Sequence, residues 1–564
     1  MKVVIVGGVA GGASAAARIR RLDEHAQIIV FERTGFISYA NCGLPYYIGG
    51  VITDEKALTL QTPKAFWDRF RVDVRVRHEV TALDIKKKTV AVCNLETGKI
   101  YEESYDKLIL SPGAKPVLPD MPGINHERIF TLRTVEDTLK IHKFIETENP
   151  KSATVIGGGF IGLEMAENLA ESGIKTTLVE YAGHLLAPFD FDMACAVHSQ
   201  MESHGIRLML NTAVTAFGKS GDHIITKTAD EANLPSDMVV LAIGVAPDTA
   251  LAKNAGLELG IKGSIAVNDR METSAPDVYA VGDAVEVTHF ITGTKALVSL
   301  AGPANKQGRV AADNVCGGSS VFHGSQGSSV IKLFDMTAAS TGINETAARA
   351  AGIDYECVVL SPSSHAGYYP GGKVMMMKVL YEKETIRLLG AQIIGFDGVD
   401  KRIDVLATAI RAGMKATGLA DLDLAYAPPY SSAKDPVNMA GFMIENIVAG
   451  RVRQFHYEEE EALPRDGSVA LLDVRTPQEY GDGCADGFVN IPLDDLRERL
   501  DEIPQRKPVY VMCQSGFRSY LACRILAQNG YDCYNFSGGY RFYDMVKRGK
   551  KQSETTYPCG MDKS

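Results

Sequence analysis

The chain has 564 residues, is 45% hydrophobic and 23% charged, and carries a formal net charge of −10. Its length predicts about three to five domains of ordinary globular composition. The negative charge, with no basic run to offset it, argues against a nucleic-acid partner. No apolar stretch approaches the ~18 residues that a membrane span needs, and glycines end the short apolar run at the start. We therefore expect no membrane contact, no secretion signal and a cytoplasmic location.

The ten cysteines include no pair with the Cys-x-x-Cys spacing. This usage predicts neither a metal site nor a disulfide framework, and it is typical of a reducing compartment. We interpret several of them as ordinary small buried side chains, namely Cys93, Cys195, Cys316, Cys357 and Cys523.

The start of the chain has the pattern of a nucleotide-binding β-turn-α-β unit. An apolar run over residues 3–6 leads into a glycine-rich turn, an alanine-rich helix and a second apolar run that ends at Glu32. Gly7 allows the tight turn and Gly12 lets helix and strand pack closely, although Val9 stands at the second glycine position of the fingerprint. Glu32, followed by Arg33, lies where an acceptor for a ribose hydroxyl is needed.

The same unit recurs about 150 residues later. The strand over residues 153–156 leads into Gly157, Gly159 and Gly162, and the next strand ends at Glu180. One such glycine motif alone is weak, because a plain turn can produce it. Two copies, each between a strand and a helix and each with its acid, predict two dinucleotide sites.

Two strand-then-glycine crossovers, residues 106–113 and 237–244, end at Gly113 and Gly244. A third segment, residues 273–283, places Asp283 just after a buried strand. Together with the two glycine motifs, these segments resemble the two-dinucleotide flavoprotein family over roughly residues 1–320. The resemblance implies that the first site holds FAD, with Asp283 at its ribityl chain, and that the second holds the nicotinamide cofactor.

The second site is expected to favour NADH over NADPH. Residues 181–184, which follow Glu180, include no Arg or Lys to receive a 2′-phosphate. The Glu180 carboxylate would repel such a phosphate.

Cys42 is the candidate redox thiol. It directly follows the first nucleotide-binding unit, and no second cysteine lies two to five residues away, so it cannot form a local dithiol. Residues 38–50 around it resemble the motif of the coenzyme A-disulfide reductases, the single-cysteine branch of the flavin disulfide reductases. The resemblance implies a mixed disulfide between Cys42 and coenzyme A. A thiolate is needed for this, so we expect nearby dipoles and the flavin to lower the pKa of Cys42.

The same resemblance implies a set of residues that bind coenzyme A. For the arginines of this set a solvated surface is an equal alternative on the residues alone, and the resemblance favours Arg18 and Arg21 more than Arg71. Tyr368 and Tyr426 resemble a pair that enters the neighbouring subunit's site, where a phenol could protonate a departing sulfur, although a tyrosine beside proline is more often a packing residue. The complete set of coenzyme A residues is Ser14, Arg18, Arg21, Ser38, Asn41, Arg71 and Lys434.

The last ~100 residues resemble a rhodanese domain. The loop from Cys513 to Arg518 follows a buried strand, so its backbone N–H groups can curl around one sulfur as an anion nest. We expect Arg518 to add a fixed positive charge that stabilises a thiolate or persulfide. Cys484 stands where the family often has a histidine, which leaves open a second thiol near this site. The alternative is a rhodanese domain that carries out no sulfur chemistry, but the intact loop from Cys513 to Arg518 argues against it.

The expected architecture is α/β: a two-dinucleotide-binding (FAD/NAD) flavoprotein fold with an α+β dimerisation domain and a C-terminal α/β rhodanese domain. A homodimer is implied by the resemblance. The expected boundaries are 1–114 with 246–322 for the FAD domain, 115–245 for the NADH domain, 323–448 for the dimerisation domain, 449–467 for a charged linker, 468–550 for the rhodanese domain and 551–564 for a tail.

This combination resembles the NADH-dependent persulfide reductases. It implies that a hydride passes from NADH to FAD and an electron pair then reaches sulfur at Cys42, which releases hydrosulfide from coenzyme A persulfide. Cys513 would carry sulfane sulfur, with coenzyme A persulfide, coenzyme A disulfide and polysulfide as the candidate substrates. The alternatives are plain reduction of coenzyme A disulfide, and a sulfane-sulfur sensor or carrier with little turnover.

Overall fold

The computed structural model describes residues 1–555. Residues 556–564, with Cys559, lie outside the described residues. The chain divides into a first compact unit, residues 1–182 with 204–327, and a second unit, residues 183–203 with 328 onward. No helix in residues 1–555 combines the length and the apolar character needed to cross a bilayer.

The first segment of the first unit starts with the predicted nucleotide-binding unit. Its strands are β1 (Lys2–Val6), β2 (Gln27–Glu32), β3 (Ile37–Tyr39), β4 (Thr59–Gln61), β5 (Val72–Val76), β6 (His78–Asp84), β7 (Thr89–Asn94), β8 (Ile100–Ser104), β9 (Lys107–Leu110) and β10 (Ala114–Pro116). Its helices are α1 (Ala10–Leu22), α2 (Leu44–Ile48) and α3 (Pro63–Phe70).

The next segment contains the second predicted nucleotide-binding unit. Its strands are β11 (Ile129–Thr131), β12 (Ser152–Ile156), β13 (Lys175–Val179), β14 (Arg207–Met209), β15 (Val214–Ser220), β16 (His223–Thr228), β17 (Asn233–Ser236), β18 (Met238–Leu241) and β19 (Val245–Pro247). Its helices are α4 (Val135–Glu148) and α5 (Phe160–Glu171), and α6 (Phe191–Ser203), which follows in the chain, belongs to the second unit. The parallel sheet has the order β11-β18-β12-β13-β14.

The chain then returns to the first sheet through α7 (Ala250–Asn254), β20 (Val278–Ala280), β21 (Val287–Thr288), β22 (Lys295–Ala296) and α8 (Ala301–Val315). The completed sheet is parallel, in the order β20-β9-β1-β2-β5. Val3, Val4 and Ile5 of β1 are fully buried at the centre of this sheet. Ligands of such sheets bind at the carboxyl ends of the strands, which is where the glycine-rich turn lies.

The third predicted domain is an antiparallel sheet with helices, as an α+β fold requires. Its elements are β23 (Ser329–Leu333), β24 (Met336–Gly342), α9 (Glu345–Ala350), β25 (Tyr355–Leu360), β26 (Met375–Glu382), β27 (Leu388–Gly395), α10 (Val399–Arg411) and α11 (Pro436–Val448). The strand order is β23-β24-β27-β26-β25, so β25 is an edge strand.

The C-terminal domain has a parallel sheet with the order β28-β32-β31-β29-β30. Its elements are β28 (Gln454–Phe455), α12 (Tyr457–Glu461), β29 (Ala470–Asp473), α13 (Pro477–Gly481), β30 (Val489–Asn490), β31 (Val509–Met512), α14 (Phe517–Gln528), β32 (Cys533–Phe536) and α15 (Gly539–Thr555).

The segment 449–467 is not the plain charged linker that the sequence predicted. It contains β28, the edge strand of the C-terminal sheet, because Phe455 is buried against Phe536 with ring centroids 5.1 Å apart. Its acidic run forms α12, in which Glu460 is buried and paired with Arg465 at 2.6 Å. The rhodanese domain was expected to end at residue 550, but its last helix, α15, continues to Thr555.

The expected NADH segment, 115–245, is interrupted, because residues 183–203 belong to the second unit. A buried cation explains this. Lys378 on β26 is 1% exposed, and its Nζ lies 3.1 Å from Asp190 and 2.8 Å from Asp192. It also pairs with Glu345 on α9. A buried ammonium needs such partners, so the two aspartates hold their segment in the second unit.

We expect Lys378→Met to reduce the free energy of local opening of the second unit by about 3–5 kcal/mol, because it leaves buried carboxylates without their cation. Hydrogen exchange of the β26 and β27 amides measures this. Lys383→Met, at a half-exposed lysine paired with Asp354, is the control and should cost less than about 1 kcal/mol. Equal effects of the two substitutions would show that the cluster does not stabilise the unit.

Candidate functional site

A cavity of about 460 Å³ opens at the carboxyl ends of β1, β2, β9 and β20. It brings together residues that are far apart in the sequence. Seven predicted site residues line it: Gly7, Glu32, Arg33, Asn41, Cys42, Gly113 and Asp283. No other cysteine of residues 1–555 is among the lining residues.

The two predicted glycines have the local roles expected of them. Gly7 has φ +97°, and a Cβ there would lie 2.0 Å from the carbonyl oxygen of Ser111. A Cβ on Gly12 would lie 1.9 Å from the Gly7 carbonyl oxygen. Val9 is the N-cap residue of α1 and makes no side-chain cap, so the glycine-rich turn leads directly into the first helical N–H groups.

The Glu32 carboxylate is fixed by the backbone of this turn. Its two oxygens accept hydrogen bonds from the N–H groups of Gly8 and Thr34, each at 2.9 Å. Each carboxylate oxygen keeps a second lone pair, so Glu32 can still accept a ribose hydroxyl. Arg33 forms an ion pair with Asp248 at 2.9 Å, so the Asp248 carboxylate neutralises its positive charge.

Arg133, which the sequence analysis missed, joins the groups at the centre of the cavity. Its guanidinium lies 3.2 Å from the Asp283 carboxylate and donates to the Ala114 carbonyl at 2.9 Å. The Asn41 amide oxygen accepts from Arg133 Nη1 at 2.7 Å, and its NH₂ donates to the Arg133 carbonyl at 3.1 Å. Burial raises the pKa of Asp283, and Arg133 opposes this shift. Its position just before the capping box of α4 was the available sequence signal.

The cavity fits the FAD that the sequence resemblance implies. Its close glycine turn has no room for side chains, Glu32 offers acceptors, and Asp283 offers a carboxylate fixed by Arg133. A cofactor's pyrophosphate needs backbone N–H groups, and the start of α1 supplies them.

Cys42 lies in a short 3₁₀ turn that precedes α2, and the residue is exposed. Crowding of the thiol by protein atoms raises its pKa, and Glu164 and Asp283 raise it further, while Arg133 lowers it. The expected lowered pKa is therefore wrong for the protein groups alone. Any lowering has to come from the cofactor or the substrate.

Glu164 is a second residue that the sequence analysis missed. It lies on α5, two residues after Gly162, and burial together with Glu167 raises its pKa to about 7. The Tyr46 hydroxyl lies 3.5 Å from its carboxylate. A carboxyl group with this pKa can hold a proton near Cys42 at neutral pH.

A second depression, of about 330 Å³, brings together four of the predicted coenzyme A residues, Ser14, Arg18, Arg21 and Ser38, and adds Asn305 and Arg309. Arg18 is paired with Asp313 at 2.7 Å, so Arg21 and Arg309 contribute more of the uncompensated charge. Arg71 does not line it: this residue ends α3 in the left-handed conformation, with its guanidinium 5.7 Å from the Trp67 ring centroid.

The second glycine motif has the geometry of a dinucleotide turn. Gly157 has φ +109°, and a Cβ on Gly162 would lie 1.8 Å from the Gly157 carbonyl oxygen. Gly159 faces open space, which lets a ligand approach the backbone. Glu180 accepts from the N–H groups of Gly158 and Ala182, and Gly244 follows β18 with φ +118°.

In the second unit, the two predicted tyrosines meet. The hydroxyl groups of Tyr368 and Tyr426 lie 2.5 Å apart, and this hydrogen bond raises the pKa of Tyr426. Tyr368 is 75% exposed, so the pair is not a packing feature of its own domain. Lys434, a further predicted residue, is also exposed.

The loop after β31 forms the predicted sulfur nest. Cys513 Sγ accepts hydrogen bonds from Gly516 N–H and from the Ser519 hydroxyl, each at 3.2 Å. Arg518, expected to supply a fixed positive charge here, interacts electrostatically with Cys513, and both of its terminal nitrogens also bind the Glu479 carboxylate, at 2.6 and 2.7 Å. This pairing lowers the pKa of Glu479 to about 2, so the ion pair persists at neutral pH. The donors to Cys513 are therefore neutral groups.

Cys484, which the sequence left open, is exposed in the loop that follows α13. Its thiol hydrogen-bonds with Tyr480, whose pKa is raised mainly by burial and then by this bond.

Fold and site together define an oxidoreductase that uses FAD and NAD(H). The chain matches the family described as pyridine nucleotide-disulphide oxidoreductase over residues 1–308, the dimerisation domain of that family over residues 328–436 and a rhodanese-like domain over residues 457–544. It belongs to the pyridine nucleotide-disulphide oxidoreductase family, and it carries a rhodanese domain at its C-terminal end.

Similar proteins cover most of the chain. The coenzyme A disulfide reductase of Staphylococcus aureus (strain JH9) is 37% identical over 78% of this chain and 99% of its own length. The crystal structure of reduced Bacillus anthracis CoADR-RHD has TM-score 0.95 and 48% identity, and it covers 97% of this chain and 98% of its own. An NAD-dependent persulfide reductase from A. fulgidus has TM-score 0.90 and 38% identity, and it covers 96% and 100%.

The raised pKa of Glu164 predicts a pH-dependent effect on Cys42. Above about pH 7 the ionised Glu164 raises the pKa of the Cys42 thiol, and below that pH it is protonated and the effect fades. Glu164→Gln should therefore speed alkylation of Cys42 by iodoacetamide at pH 8 by about two- to tenfold, with a smaller gain at pH 6.

Glu171→Gln is the matched control, since Glu171 lies on the same helix but is exposed. Site-resolved mass spectrometry of the FAD-containing protein measures the rates. No gain at pH 8, or an equal gain for the control, would contradict the coupling.

Proposed function

We propose that this oxidoreductase uses NADH to reduce the sulfane sulfur of coenzyme A persulfide and of polysulfide, that it releases hydrosulfide, and that its rhodanese domain carries the sulfur. The observation that carries the proposal is that Cys42 is the one cysteine within residues 1–555 that lines the dinucleotide cavity, in one chain with Cys513 in a sulfur nest. A single thiol cannot close an internal disulfide, so its partner sulfur has to come from the substrate. The similarity to a persulfide reductase over 96% of the chain supports this.

The reaction at Cys42 balances with NADH as the only reductant. The Cys42 thiolate attacks the coenzyme A sulfur of the persulfide, the sulfur–sulfur bond of the persulfide breaks, and hydrosulfide leaves. A mixed disulfide between Cys42 and coenzyme A remains. Two electrons and one proton then restore the Cys42 thiolate and free coenzyme A. The bound FAD supplies the chemistry that accepts a hydride and delivers an electron pair.

The surrounding residues have complementary roles in this proposal. Ser14, Arg18, Arg21 and Ser38 hold the coenzyme A phosphates, and Arg309, which lines the same second depression, adds a further positive charge. Asn41, fixed by Arg133, orients the segment next to Cys42.

The second unit contributes the tyrosine pair. In a homodimer, which the dimerisation domain supports, Tyr368 and Tyr426 act as proton donors in the partner subunit's site, with Lys434 at the substrate. Arg71 remains a proposed contact of coenzyme A that lies outside the second depression. The nine described cysteines are all free, which supports a cytoplasmic location.

Plain coenzyme A disulfide reduction is the second candidate function. The S. aureus relative named for that activity supports it, although this relative's match covers only 78% of the chain. In this case the rhodanese domain is an accessory.

We propose NADH as the preferred reductant, because the Glu180 carboxylate is held at the glycine turn by two N–H groups. Its charge would repel a 2′-phosphate. The expected result is a kcat/KM at least about tenfold higher with NADH than with NADPH, which is a difference of about 1.4 kcal/mol. Steady-state rates with the two cofactors measure this, and equal values would remove the role of Glu180.

The division of labour between the two cysteines is tested by NADH oxidation with three substrates. Wild type should turn over coenzyme A persulfide faster than coenzyme A disulfide, and it should also use polysulfide. Cys513→Ser should keep the rate with ready-made coenzyme A persulfide within about twofold and reduce the rate with polysulfide at least about tenfold, because only polysulfide sulfur has to be loaded first.

Cys523→Ser, at a buried cysteine of the same domain, is the control. A faster wild-type rate with coenzyme A disulfide would favour the second candidate function. An equal loss with both sulfane substrates in Cys513→Ser would place Cys513 in the reductive step itself.

A further inference from the structure

Three reactive side chains that do not include Cys513 meet in the second unit. Glu356 and Cys357 are neighbours on β25, and His456 is the N-cap residue of α12. Cys357 Sγ lies 3.8 Å from His456 Nδ1, and His456 Nε2 lies 3.0 Å from Glu356 Oε1. The imidazole therefore connects a thiol to a carboxylate through its two nitrogens.

This order of groups is the arrangement that activates a cysteine nucleophile. A thiol becomes reactive when an adjacent base takes its proton, and a third group orients that base. The Glu356 carboxylate is itself held, because Gln454 Nε2 donates to it at 3.1 Å. Gln454 also donates to the Cys357 carbonyl at 2.5 Å, so the strand and the histidine segment are fixed relative to each other.

The charges around Cys357 favour a protonated imidazole. Glu356 and Cys357, which face its two nitrogens, raise the pKa of His456 well above its ordinary value against the effect of burial. Burial raises the pKa of the Cys357 thiol, and His456 is the strongest influence that lowers it; Lys378 on β26 also lowers it, and Glu345 on α9 raises it. The reactivity of Cys357 therefore depends on His456.

Access is limited to small reagents. Cys357 is 4% exposed, whereas the side chains of His456 and Glu356 are 28% and 26% exposed. The cluster opens to solvent on the histidine side. A small anionic sulfur chain can be attracted by the imidazolium, while a large substrate such as coenzyme A cannot enter.

We propose that Cys357 is a persulfide-accepting thiol that takes sulfane sulfur from inorganic polysulfide, activated by His456 and Glu356. The Cys357 thiolate attacks the terminal sulfur of a polysulfide, a new sulfur–sulfur bond forms, and the shortened polysulfide leaves with the electron pair. The products are a Cys357 persulfide and a polysulfide with one sulfur fewer. No external oxidant or reductant is required. The reaction needs neither Cys42 nor Cys513, so it goes beyond the function proposed above.

The site has a structural consequence, because it lies where the α+β domain meets the rhodanese domain. The edge strand β25 also donates from Val359 N–H to the Ser537 hydroxyl at 3.0 Å. An added sulfur on Cys357 therefore changes the packing between β25 and the segment of Gln454 and His456.

The test is treatment of the full FAD-containing protein with sodium tetrasulfide, followed by site-resolved mass spectrometry of persulfides. Cys357 should be persulfidated at least about tenfold faster than Cys195, because the His456 imidazole faces its thiol whereas the Cys195 thiol faces a backbone carbonyl. Cys195 is a matched control: it is also buried, it donates to the Phe191 carbonyl, and burial raises its pKa to about 12. His456→Asn should reduce the Cys357 rate to that of Cys195.

Glu356→Gln keeps the His456 imidazole and removes only the carboxylate that orients it. This variant therefore provides the test if His456→Asn does not fold. It should lower the Cys357 rate and move its pH midpoint, while iodoacetamide labelling of Cys42 stays unchanged. Equal persulfidation of Cys357 and Cys195 in wild type would overturn the proposal. Unchanged Cys357 persulfidation in both variants would do so as well.

Discussion

The arrangement of the dinucleotide cavity depends on one guanidinium. Arg133 binds the Asp283 carboxylate, the Ala114 carbonyl and the Asn41 amide, which come from three separate parts of the first unit. A planar guanidinium has five donors in a rigid fork, so one side chain can fix all three groups at once. Asn41 is adjacent to Cys42 in the chain. The proposed redox cysteine, the expected ribityl-binding acid and the crossover after β9 are therefore positioned by the same interaction.

The two principal cysteines lie in different environments, and the difference accounts for the proposed division of labour. Cys42 is exposed and close to Glu164 and Asp283, which oppose thiolate formation. The protonation state of a thiol in this setting depends on the cofactor or substrate that binds beside it. Cys513 is buried and receives hydrogen bonds from neutral donors, while both terminal nitrogens of Arg518 bind Glu479. A nest of this kind can hold a sulfur anion without a mobile counter-ion.

The features that could be predicted from the sequence are those that depend on local spacing. The two glycine turns, their acids and the strands around them follow from short patterns, and the cavity lined by Gly7, Glu32 and Asp283 confirms the predicted fold. Arg133 and Glu164 could not be found in this way, because Asp283 is 150 residues from Arg133 and Tyr46 is 118 residues from Glu164 in the chain. The ion pair of Lys378 with Asp190 could not be found for the same reason. Cys357 was interpreted as an ordinary buried cysteine, because its partner His456 is 99 residues away in the chain.

Charged composition was misleading in two places. The acidic run before the rhodanese domain suggested a linker, yet the short strand next to it pairs with β32 because of one buried phenylalanine. Arg518 suggested a fixed charge at the sulfur nest, and its sequence position did not indicate the Glu479 carboxylate that pairs with it through both terminal nitrogens.

The central claim is that Cys42 is the thiol through which NADH reduces sulfur. The most direct measurement is NADH oxidation with coenzyme A persulfide by Cys42→Ser, with the bound FAD quantified from its visible spectrum. The account predicts a full complement of FAD, because Glu32, Asp283 and the glycine turn are untouched, together with a loss of turnover of at least about a thousandfold. A serine variant that keeps most of its turnover would contradict the account.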